Sequence, residues 1–161
     1  MIISNSSPII NLGKQGILDL LGKCFDKIII PFEVYEEIMK KENSLEAVSL
    51  KKGIDEGWIN MEKIAVVSLL NTGNLGQGEK EAISLAYEKN GNLLIDDETA
   101  RKYASLLNVE CHGTIYALYI CVLKKLIDKR KARKIFENMI RDGFYVSSHV
   151  YGKFLDLLEK C

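Results

Sequence analysis

Short unbroken apolar runs alternate along this chain with stretches in which apolar residues recur every three or four positions. MIIS at 1–4, KIII at 27–30 and NLLI at 92–95 are runs of the first kind. A run without alternation marks a strand covered on both faces. Asn108 to Cys111 has strand length, Gly57 to Ile64 alternates weakly and reads as an irregular strand, and Phe144 to Ser147 reads as a last short one. Between the runs the spacing is helical. Pro8 suits a first helical turn, and Ile9, Leu12, Ile17, Leu20 and Leu21 follow it, loosened by Gly13 and Gly16. Val34, Tyr35, Ile38 and Met39 form a stripe after Pro31, and Leu45 to Ile54 reads as another helix. NTGNLGQG at 71–78 is the clearest loop. It leads into a helix carrying Ala82, Ile83 and Ala86, closed by Gly91 in the position after the C-cap. Ala100, Tyr103, Ala104 and Leu107 mark the next helix, and Gly113-Thr114 opens an apolar one through Leu123. Ala132, Ile135, Phe136, Met139 and Ile140 give an amphipathic helix ended by Gly143, with a terminal helix beyond. Strands that alternate with helices predict an α/β fold: a doubly wound parallel sheet with helices on both faces.

Length makes this a single domain over residues 1–161. With 47% hydrophobic and 27% charged residues, disorder is excluded as the dominant state. The longest charge-free run, Ile64 to Gly78, is 15 residues and contains three glycines, too short and broken to cross a bilayer. MIISNSSPII at the N-terminus has no basic region and no cleavage-like site, so a cytoplasmic location without membrane contact is expected. The four cysteines form no C-x-x-C pair, and His112 and His149 complete no zinc spacing. Cys24, Cys111 and Cys121 read as small buried apolar residues, Cys161 as a terminal thiol, and His112 as structural.

Basic and acidic residues number 22 each. Zero net charge gives no global attraction for polyanions. Residues 1–100, however, carry 10 basic and 16 acidic side chains, and residues 101–161 carry 12 and 6. That asymmetry points to a local anionic partner or a local cation, or to two differently decorated solvated faces.

Sites in parallel α/β sheets form at the carboxyl ends of strands. Asn5 ends the first run, and Asp96 and Asp97 end LLI. At about 100° per residue, Glu79 shares the stripe of Ala82, Ile83 and Ala86, whereas Glu81 points nearly the opposite way. Glu37 lies nearer the Val34–Ile38 stripe than Glu33 or Glu36 does. Each acid has an ordinary reading: Asp97 as a helix N-cap, Glu79 as an anion in a first helical turn, Glu37 as a surface residue. Carboxylates that converge repel unless a cation lies among them, and hard oxygen donors select Mg²⁺ or Mn²⁺.

Five segments, in order along nearly the whole chain, carry a family resemblance: IISNSSPII at 2–10, IIIPFEVYEEI at 28–38, GQGEKEAISLA at 76–86, LLIDDETAR at 93–101 and HGTIYAL at 112–118. The chain resembles the PIN-domain family, and within it a prokaryotic subgroup akin to VapC-type toxins. The resemblance implies a doubly wound parallel sheet, an acidic cluster that binds one or two divalent metals, and metal-dependent cleavage of RNA. It places the first-strand acid on Asn5, the helix acid on Glu37, the third on Glu79 with Glu81 as a substitute, and the fourth on Asp96-Asp97, with Asp97 favoured. Ser6 matches the small hydroxyl residue beside the first position. The metal set it implies is thus Asn5, Glu37, Glu79, Asp96 and Asp97, holding Mg²⁺ or Mn²⁺, with Glu37, Glu79 and Asp97 catalytic. Implied partners are single-stranded RNA, an antitoxin protein and a second copy of the chain. Lys129, Arg130, Lys131, Arg133 and Lys134 are candidates for the RNA backbone, against a reading as a solvated helix face.

The departure is Asn5, where active members of the family usually carry Asp. An amide oxygen coordinates Mg²⁺ without contributing charge, so metal affinity should fall. The alternative is therefore a catalytically impaired PIN-like module that binds RNA or protein. A phosphoacceptor receiver domain, prompted by Asp96-Asp97-Glu98, fits poorly, because receivers carry their acidic pair after the first strand.

Overall fold

The unbroken apolar runs become strands. A computed structural model describes all of residues 1–161. It contains β1 (Ile2–Ser4), β2 (Ile28–Pro31), β3 (Ile59–Glu62), β4 (Asn92–Leu94) and β5 (Cys111–His112). All pairings are parallel, in the order β3-β2-β1-β4-β5. Nine helices connect and cover them: α1 (Ser6–Lys14), α2 (Asp19–Phe25), α3 (Phe32–Met39), α4 (Leu45–Asp55), α5 (Gln77–Lys89), α6 (Glu98–Leu106), α7 (Thr114–Leu123), α8 (Lys129–Arg141) and α9 (Ser148–Glu159). This is the doubly wound single-domain fold expected from the alternation.

Neighbouring strand residues point to opposite faces, and both faces are covered, which is why the runs do not alternate. Ile2, Ile28, Ile30, Ile59 and Leu94 enter a large core with side chains of α1, α2, α4, α7, α8 and α9. Ile3, Ile29, Leu93 and Ile95 enter a smaller core with α5 and α6. Each fully buried Ile or Leu contributes roughly 1.5–3 kcal/mol relative to an exposed one. Cys24 of α2 and Cys121 of α7 are buried with their Sγ atoms 3.1 Å apart. Cys111 is only half-buried and Cys161 is exposed.

Several local expectations change. The first helical stretch is two helices, because Gly16 turns the chain at φ +69° between α1 and α2. Asn90, not Gly91, takes the left-handed position after α5, at φ 50°. The Gly91 amide then donates to the Ala86 carbonyl at 2.9 Å, closing a Schellman-type end. Gly91 itself answers to packing: a Cβ there would come 2.7 Å from Ile3 Cδ1. Phe144 to Ser147 is a loop, not a strand. Gly143, at φ +98°, turns the chain out of α8, and Phe144 and Val146 rest against the large core with no strand beside them. No helix is long and apolar enough to cross a membrane.

Candidate active site

The chain runs β1, β2, β3 outward on one side of β1, then returns to place β4 on the other side. The crevice of such a sheet opens where that order reverses, at the carboxyl ends of β1 and β4. Asn5 follows β1, and its amide donates to the Leu94 carbonyl at 2.9 Å, which fixes the end of β1 beside the end of β4. Asp96 and Asp97 emerge next to it. A cavity of about 950 Å³ opens there, and Asn5, Ser6, Glu37, Glu79, Asp96 and Asp97 all line it. Side chains up to 92 positions apart therefore meet at one edge, as the strand ends require.

Asn5 is 4% exposed, and its Oδ1 is a buried polar atom with no hydrogen-bond partner. Leaving such an acceptor unsatisfied costs about 1–3 kcal/mol. Glu37 stands beside it because α3 begins directly after Pro31 of β2 and buries Val34 and Ile38, which turns Glu37 toward the strand ends. Gly78 of α5 lies against both. A Cβ on Gly78 would lie 3.2 Å from Glu37 Oε2 and 3.8 Å from Asn5 Oδ1.

Glu79 is half-buried, and its Oε2 accepts the Gly76 amide at 2.9 Å, one half of a capping box. Burial pushes its carboxyl above the usual range. The Gly76 hydrogen bond opposes that, and the negative charges of Asp97 and Glu37 add to it. Those two charges act on Glu79 because they share its cavity. Asp97 does cap α6, accepting the Ala100 amide at 2.7 Å. The bond uses Oδ1 alone, and Asp97 also lines the cavity, so capping α6 does not remove it from the site.

Asp96 is differently engaged. Its Oδ1 accepts the Thr114 amide at 2.8 Å, and its Oδ2 accepts Thr114 Oγ1 at 2.6 Å, Ser7 Oγ at 2.8 Å and, weakly, Asn11 Nδ2 at 3.5 Å. A carboxylate has about four acceptor positions. Asp96 is thus a positioning residue that ties α1 and α7 to the end of β4, rather than an open ligand. Glu81 does not reach the cavity: it accepts from Gln77 Nε2 at 2.9 Å and from the Glu33 amide at 3.4 Å. It is no substitute for Glu79. Ser6 lies buried in the wall beside Asn5. Lys129, Arg130, Lys131, Arg133 and Lys134 are exposed on α8 and none lines the cavity; Arg133 bonds Glu137 at 3.2 Å.

The donors suit a hard divalent cation. An orphaned buried amide oxygen and three oxygen-bearing acids on the same cavity are the chemistry such an ion selects. They form an open set: no three His, Cys, Asp or Glu side chains stand close enough for a ready-made cage.

Residues missed in the sequence complete the walls. Ser7, Asn11 and Thr114 anchor Asp96. Arg101, His112, Tyr116 and Tyr145 line the end away from Glu37 and Glu79. Thr114 had a signal, a hydroxyl residue opening a helix just after a strand end. Tyr145 had none beyond being an aromatic two residues after a glycine.

The fold is a parallel α/β sheet with Asn5, Glu37, Glu79, Asp96 and Asp97 around its topological switch point. A family model described as PIN domain matches residues 1–160, and the chain belongs to the PIN-domain family. Members of that family are generally nucleases and typically use divalent metals. Among solved structures, the chain is similar to a PilT N-terminus domain protein from the hyperthermophilic archaeon Sulfolobus solfataricus P2. Identity is 21% over 72% of this chain and 88% of that one, with a TM-score of 0.50, a likeness of fold. No curated protein matches the sequence significantly.

Proposed function

We propose that the chain is a metal-dependent ribonuclease that hydrolyses phosphodiester bonds of single-stranded RNA. The observation that carries the reading is the unpartnered, buried Asn5 Oδ1, on a residue that shares its cavity with Glu37, Glu79 and Asp97. These four residues would hold Mg²⁺ or Mn²⁺, and such an ion, when bound, supplies Lewis acidity to water and to the scissile phosphate. The chain's own residues do the rest. Asp96 keeps the end of β4 in place through Ser7 and Thr114. Glu79 has one oxygen tied to Gly76 and one free, so its free oxygen can take a proton from the attacking water.

The test is Mn²⁺-dependent cleavage of a single-stranded RNA. Glu79→Ala and Asp97→Ala each remove a ligand and should lose about 100-fold or more in rate, since a bound ion supplies several kcal/mol of charge stabilisation. Unchanged cleavage in both variants would overturn the assignment.

Asn5 supports a second reading, because it brings no charge to the metal set. In it the chain is a PIN-like module that binds RNA or protein without cutting. Asn5→Asp separates the two. Activity that appears only with this change makes the native chain a binding module; activity in the parent, raised by the change, makes it an enzyme. A toxin role would add a small antitoxin covering the acidic cleft, for which the adjacent gene is the place to look, and a homodimer, which sedimentation would show.

A further inference from the structure

The cavity has two chemically different ends. One holds Asn5, Glu37, Glu79 and Asp97. The other is aromatic and cationic. Tyr145, on the loop between α8 and α9, is 88% exposed although it lines the cavity, and it makes no hydrogen bond. His112 and Tyr116 stack on one another with ring centroids 3.9 Å apart and planes 15° from parallel. Arg101 is half-buried between these ends. Its Nε donates to the Ile95 carbonyl at 2.9 Å, which fixes the guanidinium, and its terminal nitrogens make neither a hydrogen bond nor an ion pair. It is the only cationic Lys or Arg side chain among the cavity residues.

An exposed, unpartnered tyrosine on a cavity rim has no packing reason to be there. A fixed guanidinium with free N–H groups is a phosphate ligand. Aromatic faces in the same cavity are what an unstacked base meets. We infer that Arg101, His112, Tyr116 and Tyr145 form a nucleotide subsite for single-stranded RNA. Arg101 binds a phosphate next to the scissile one, and the base attached there lies between Tyr145 and the Tyr116–His112 wall. The inference rests on the nuclease reading of the acidic end and adds what that end lacks: a means of choosing single strands. Bases in a duplex are stacked on one another and cannot enter such a slot, so selectivity comes from the aromatic wall, and any base with a π-face is accepted.

The experiment measures binding and cleavage separately. Fluorescence anisotropy follows a short labelled single-stranded RNA added to the parent chain, Tyr145→Ala, Tyr145→Phe and Arg101→Gln in Ca²⁺, which offsets the charge of the acids. Cleavage is followed in Mn²⁺ on the same proteins. Tyr145 is exposed and unbonded, so its truncation leaves the fold intact; Arg101→Gln is accompanied by a melting curve because Arg101 also holds Ile95. Tyr145→Ala should bind about tenfold more weakly, the scale of one base stack, with a raised KM and little change in kcat. Tyr145→Phe should bind as the parent does, because the ring and not the hydroxyl is used. Arg101→Gln, if folded, should weaken binding similarly. Cleavage by the parent with unchanged affinity in Tyr145→Ala would overturn the subsite and leave the nuclease reading standing. Tyr145-dependent binding without cleavage would overturn the nuclease reading and leave the subsite. A parent that binds no RNA, or a Tyr145→Phe variant as weak as Tyr145→Ala, also overturns the subsite.

Discussion

Burial holds the Glu79 carboxyl above its ordinary range in the metal-free chain, opposed by the Gly76 amide and reinforced by the charges of Asp97 and Glu37. The folded state therefore holds this proton more tightly than the unfolded state does. Between the two values the folded chain carries more protons, so stability falls as pH rises through that window, and the contribution is fully present only below the ordinary carboxylate value of about 4.3. Glu79→Gln removes the charge and keeps an oxygen for the Gly76 amide. In EDTA near neutral pH the variant should melt a few degrees above the parent, and the gap should close on acidification below the ordinary carboxylate range. A variant that melts at or below the parent at neutral pH would show that Glu79 is not strained. Adding Mn²⁺ should raise the parent's midpoint more than the variant's. The sequence put Asn5 and Asp97 at strand ends and Glu37 and Glu79 on helix faces, and the family resemblance singled out the four that line one cavity. Which of two adjacent aspartates keeps a free oxygen was not fully readable. Asp96 is claimed by Ser7 and Thr114, 89 and 18 positions away, and no local spacing reports such distant donors.

Elements were legible where their pattern is local and obscured where a partner elsewhere decides it. Ile28 to Pro31 and Asn92 to Leu94 show as strands because both faces are buried, and α8 shows as a helix because one face is. Phe144 to Ser147 has strand composition, yet no strand lies beside it, so it became the loop that carries Tyr145. Gly13 is a second case. Along the chain it only weakens a helix; in the fold it lets α1 touch α4. A Cβ at Gly13 would come 2.6 Å from Glu46 Cβ and 2.7 Å from Glu46 Cα, and the latter is backbone that cannot swing away. Gly13→Val should destabilise the chain by about 2 kcal/mol or more, as overpacking does, lowering the melting midpoint by about 4–8 °C. The variant should still cleave RNA below its midpoint, because Asn5, Ser6 and Ser7 lie at the other end of α1. An unchanged midpoint would mean that the two helices separate freely.

Across the whole molecule the charges cancel, 22 against 22, but they do not cancel where a substrate would lie. Glu37, Glu79, Asp96, Asp97 and Glu98 line the main cavity against a single arginine. A polyanion is repelled from such a cavity until a cation enters it. Lys129 and Arg130 offer no remedy at short range: they open a 13-residue helix about 20 Å long, and Gly143, which lines the cavity, lies beyond its other end. Fields between exposed charges fade over about 8 Å at physiological salt. Affinity for a short single-stranded RNA should therefore be weak in EDTA and rise when a divalent cation is added. The rise should vanish in a Glu37→Gln, Asp97→Asn double variant, where the ion loses its ligands. Replacing Lys129 and Arg130 by Gln should leave the affinity for a short strand unchanged and lower it only for strands long enough to run along α8. RNA that binds equally well in EDTA, with affinity lost on changing Lys129 and Arg130, would move the binding surface from the switch-point cavity to the face of α8.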